Sequence, residues 1–173
     1  MQQKKIISHK VIDRAIAELD SMNERQVESL IKDFGDKQPA LTVYIMSHES
    51  SYSENDFDLL VNMALLVYHC FRLEFASMRS IQIDEVEAYE QKQEDDMIRM
   101  ERMTDSEMEA EMARTVHAAK QPFLLEFITE SLAVREESEE IEDESGGAAF
   151  FSPLQLLIDM LDSAGNGSFL KIV

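Results

Sequence analysis

Tryptophan is absent from this 173-residue chain and cysteine occurs once, at Cys70. A single cysteine excludes an intramolecular disulfide and any metal site built from several thiolates. Glycine (5) and proline (3) are almost as scarce. So few glycines leave no Gly-rich loop to cradle a phosphate, and no Gly-x-Ser-x-Gly elbow is present. Long apolar runs are missing too. The most apolar window, Phe57 to Ala76, is interrupted by Asp58, Asn62, His69, Arg72 and Glu74. A bilayer span takes about 20 mostly apolar residues, and charge at mid-span is costly. The opening Met1–Ile7 carries a basic pair with no apolar run behind it, unlike a secretory signal. These absences lead us to expect a soluble protein of a reducing, cytoplasmic compartment.

Positive charge is the other shortage. Lys and Arg number 16 against 35 Asp and Glu, a formal net charge of -19. Gripping a phosphate backbone is mainly work for Lys and Arg, and an anionic lipid surface repels an acidic protein. Neither nucleic acid nor membrane is therefore an expected partner. The acidity is local. Residues 84–112 hold 12 acids and 3 bases, and residues 136–144 hold 7 acids and no base. The rest is close to neutral, and Lys4, Lys5, Lys10 and Arg14 form a modest basic patch near the start.

What is present is helical periodicity, with 45% hydrophobic residues, enough for a folded core. Val11, Ile12, Ala15, Ile16 and Leu19 follow the spacing of one helix face, and Asn23 caps a second helix with Val27, Leu30, Ile31 and Phe34 inward. Pro39 opens a short helix, and Ser53 with Asp56 opens a long one over about 54–78. A further long helix begins near Asp84 and breaks or kinks at the Thr104/Glu107 capping box. Pro122 opens another, and Ser152-Pro153 the last. Leu41–Met46 and Phe169–Val173 are the best strand candidates, and both are short. The expectation is an all-α single domain, 1–173, of about seven helices in a compact bundle, with 136–147 as a flexible acidic insertion.

One motif occurs twice. Lys37-Gln38-Pro39-x-Leu41-x-x-Tyr44-Ile45 is echoed by Lys120-Gln121-Pro122-x-Leu124-x-x-Phe127-Ile128. This suggests two pseudo-repeated three-helix units. A good helix start that recurred by chance would look the same over so short a stretch. Stacked helical units form concave surfaces suited to partners.

The sites worth weighing are few. On the 54–78 helix, Asp58, Asn62, His69 and Arg72 fall on one narrow arc. This polar strip is either a narrow exposed edge or the lining of a pocket with His69 as base or ligand. No Glu-x-x-His or His-Glu-x-x-His pattern accompanies the four histidines, so no metal ligand is assigned. Cys70 reads as a buried structural thiol. Glu87 with Glu90 gives one Glu-x-x-Glu pair, but no Glu-x-x-Asp follows on a partnering helix. Val86, Tyr89, Met97 and Met100 form a thin stripe on an otherwise acidic helix. Such a stripe serves its own bundle, a second copy in a homodimer, or a basic or amphipathic protein partner. No catalytic or cofactor residue emerges. The leading expectation is a non-catalytic interaction, regulatory or chaperone-like module with an acidic surface. A Mg²⁺-dependent hydrolase using helix carboxylates and an acidic mimic of nucleic acid are the alternatives.

Overall fold

The structure, a computed structural model, describes residues 4–167, apart from the side chains of Glu109, Met112, Val116 and His117. Its regular structure is entirely helical among the described residues: α1 (His9–Ser21), α2 (Glu24–Lys37), α3 (Pro39–Ser47), α4 (Glu54–Glu74), α5 (Ile83–Met100), α6 (Asp105–His117), α7 (Pro122–Glu137) and α8 (Ala148–Asn166), with a 3₁₀ turn at Glu49–Ser51. That is eight α-helices against an expected seven, because the Thr104 kink is a complete break. The Thr104 amide donates to Glu107 and the Glu107 amide to Thr104 Oγ1, so α6 starts with its own box. Asn23 and Ser53 cap α2 and α4 as their types demand. Leu41–Met46, a strand candidate, lies within α3, where Pro39 fills the first turn. The other candidate, Phe169–Val173, is outside the described residues.

The two most buried helices, α4 and α8, pack against each other through the middle of the molecule. They run parallel. Near their starts the Tyr52 hydroxyl donates to the Ala149 carbonyl at 2.6 Å. Near their ends Gly165 lies so close to Phe75 that a Cβ there would sit 2.5 Å from the ring. Pro153 was expected to open the last helix; α8 instead starts at Ala148 and carries Pro153 inside. A proline there leaves the carbonyl four residues back without its helical donor. That carbonyl is Ala149, the one Tyr52 satisfies.

The acidic segment expected as a flexible insertion begins inside the last turn of α7, and its remainder makes contacts with α4 and α7. Asp56 is buried at the start of α4, and its carboxylate accepts the amides of Glu142 (3.1 Å) and Asp143 (2.8 Å). The Gly147 amide donates to Glu136 at 2.9 Å, and Ile141 packs on the core. A buried carboxylate needs donors, and two main-chain amides supply them without adding positive charge.

The halves before and after residue 76 meet reciprocally. Helix α1 packs on α4 and also on α7, while α5 packs on α8 and also on α3. Gln38 and Gln121, the glutamines of the doubled motif, are both fully buried. Each leads its proline helix from a similar backbone conformation (φ -133°, ψ 59° and φ -128°, ψ 74°). Gln38 donates to the Arg79 carbonyl at 2.8 Å and accepts the Ile81 amide at 3.0 Å. Gln121 donates to the Lys5 carbonyl at 3.0 Å and accepts the Ile7 amide at 2.7 Å. Each therefore clasps a basic-x-Ile stretch of the other half. Burial repeats along with them. Ile7, Ile12 and Ala15 are matched by Ile81, Val86 and Tyr89, a common step of 74 positions.

Candidate functional site

The N-terminal part of α5 is fixed by its apolar face. Val86 and Tyr89 are buried, and the Tyr89 hydroxyl donates to Asp159 of α8. Burial pushes the Tyr89 hydroxyl far above its ordinary value, so it stays a donor, and burial also raises the Asp159 carboxyl. One turn on, the Gln93 amide donates to the Ser152 carbonyl at 3.0 Å. These contacts hold α5 against α8, α3 packs on α5 as well, and an open groove lies beside them. Tyr44, Gln93, Met97 and Ser152 line it, with Glu87, Glu90, Gln91 and Glu94 along its rim.

Spacing explains the rim. Residues 87, 90, 91 and 94 recur at three and four positions, so they share one helix face. Glu87, Glu90 and Glu94 form no ion pair among the described residues, whereas Glu85 on the same helix is paired with Arg79 at 2.6 Å. The 74-residue step sets Glu90 opposite Ile16, which is packed against the core. The Tyr44 hydroxyl is likewise held well above its ordinary value, by burial and then by the Glu90 charge.

The expected Met stripe divides at this groove. Val86 and Tyr89 are covered within the chain, Met100 is half-buried, and Met97 is 54% exposed with Ile98 beside it at 46%. The polar strip divides as well. Asp58, Asn62 and Arg72 form an exposed edge, while His69 is fully buried. His69 lies away from the groove, its Nε2 donating to Glu18 of α1 at 2.8 Å, and its Nδ1 has no hydrogen-bond partner. Burial holds the imidazole below its ordinary value, and Arg72 and Arg14 add to this against the opposing pull of Glu18. Helix periodicity misses this because the neighbour covering His69 comes from another helix. Cys70 is buried, its thiol pushed up to about 12.

Among the described residues no three His, Cys, Asp or Glu side chains are grouped to hold a metal ion. None of the described helices is long and apolar enough to cross a membrane. Comparison with protein-family models, curated proteins and solved structures finds no match.

Proposed function

We propose that this chain is a non-catalytic interaction module whose α3–α5 groove takes a basic, amphipathic protein segment. The observation that carries this reading is the row Glu87, Glu90 and Glu94, three carboxylates without an ion-pair partner among the described residues, set beside an exposed Met97. Lys or Arg side chains meet the rim, and an apolar residue meets Met97 and Tyr44. Methionine adapts to varied partners, and charge complementarity mainly governs capture rate and choice. The finer architecture belongs to the same proposal. We infer that the chain is two copies of one helical unit, supported by the doubled motif, the matched glutamine conformations and the 74-residue burial step. On that reading the second copy exchanged core contacts for a binding rim, as at Ile16 and Glu90.

The test is a titration of the full chain with a synthetic helical peptide of alternating Lys and Leu faces, followed by calorimetry at low and high salt. Binding is expected to weaken with salt. It is expected to fall at least about tenfold in an E87Q/E90Q/E94Q variant, the scale of one to two lost charge-assisted contacts. A control variant, E139Q/E140Q/E144Q, removes equal charge from the other acidic segment. Equal losses in both variants, or none in the first, would overturn the reading.

A further inference from the structure

We propose that two copies of this chain assemble by exchanging halves, each copy's second half docking on the first half of its neighbour. What the groove binds has no bearing on this assembly. Gln38 of the first half holds Arg79 and Ile81 at the start of the second, and Gln121 of the second half holds Lys5 and Ile7 at the start of the first. The α1–α7 and α3–α5 contacts are reciprocal in the same sense, and α4 meets α8 between them. In a dimer of exchanged halves the same set of contacts occurs twice, once on each side of a two-fold axis. Nothing in these contacts requires the two halves to belong to one chain. Main-chain clasps, buried isoleucines and the central helix pair form equally well between copies.

The joint between halves suits this use. The helix ends at Glu74, where the Phe75 amide still donates to the Phe71 carbonyl, and the next main-chain hydrogen bond is the Arg79 amide to the Ala164 carbonyl. Between them Ala76 and Ser77 are exposed and make no hydrogen bond among the described residues. Opening the chain there costs no paired polar group. The balance between closed monomer and exchanged dimer then rests on hinge conformation, association entropy and charge repulsion. With -19 on each copy, repulsion favours the monomer at low salt and is screened at high salt.

The experiment refolds the full chain at high protein concentration across a salt series and measures mass by light scattering. A dimer that grows several-fold with salt is expected. To show exchange, copies carrying Lys5→Cys are refolded with copies carrying Asn166→Cys, because the Lys5 amide lies 2.9 Å from Asn166 Oδ1 across the joined halves. Refolding is done under reductant and oxidation follows, when Cys70 is buried and does not compete. A disulfide-linked mixed dimer, released by reductant, supports the exchange. A second variant leaves both clasps native: deleting Ser77 shortens the hinge and is expected to raise the dimer fraction. A chain that stays monomeric in all these conditions overturns the proposal, as does a dimer without the mixed disulfide.

Discussion

The two halves carry the same clasp and the same reciprocal packing, yet use their second helix differently. In the first half, α2 is anchored. Leu30 and Phe34 are buried, Phe34 stacks on Tyr68 at 4.5 Å between centroids, and the Tyr68 hydroxyl donates to Asp33 at 2.8 Å. In the second half, α6 rests on α7, and none of its described side chains is buried. Charge follows the same division. Residues 1–83 hold 12 acids and 9 bases, and most of the remaining acids crowd into 84–112 and 136–144. An anchored helix needs apolar side chains at its contact positions. A helix released from that demand tolerates glutamates, which are good helix formers in water.

The largest expected effect breaks this contrast at its anchor. Phe34→Ala removes a buried ring and is expected to cost about 3–5 kcal/mol in urea unfolding. Met108→Ala, on the half-buried face of α6, is expected to cost less than about 1 kcal/mol. Equal losses would end the distinction between the two helices. The clasps come next. Gln121 also donates to Asp162 at 2.6 Å, so it makes three described bonds to the two of Gln38. Taking about 1 kcal/mol per buried bond, Gln121→Ala is expected to cost about 3 and Gln38→Ala about 2 kcal/mol. Thermal unfolding of both variants checks the order. Gly165→Ala follows at about 2 kcal/mol, because the new methyl meets the Phe75 ring and overpacks the junction of the halves. Gly35→Ala in α2, with open space around its Cβ, is expected to be neutral or stabilising.

The smallest effect concerns His69. Its folded-state affinity for a proton is depressed by burial, so the unfolded chain binds more protons just below pH ~6.5. Stability from this group is full above that pH and declines as pH falls from there toward the folded value. The melting temperature is therefore expected to drop modestly on acidification in this window. His69→Gln keeps a donor toward Glu18 and removes the slope. A slope unchanged in the variant would assign it to other groups.

Much of the fold was legible where chemistry acts over three or four residues. Asn23, Ser53 and Thr104 mark helix starts because their side chains reach amides within the same turn, and Pro39 and Pro122 because the first turn has no use for an N–H. Pro153 misled because a carbonyl it strands is satisfied by Tyr52, 97 residues away. The bonds from the acidic segment to Asp56 were not legible, because Asp56 is 86 residues distant from Glu142. The site was legible in part. The Met stripe pointed to α5, but the groove needs Tyr44 of α3 and Ser152 of α8, which no periodicity links to it. The glutamines stood out by repetition. Their partners, Lys5 to Ile7 and Arg79 to Ile81, lie in non-helical stretches too short to carry a pattern.

The contact between Lys5 and Asn166 brings the outermost described turns of the chain together, the amide of one on the side chain of the other and the carbonyl of one accepting from the other. Order along the polypeptide is then a matter of where the chain is cut. A gene encoding residues 78–173, a short flexible linker and residues 1–77 would write the halves in reverse and is expected to place every clasp where it stands now.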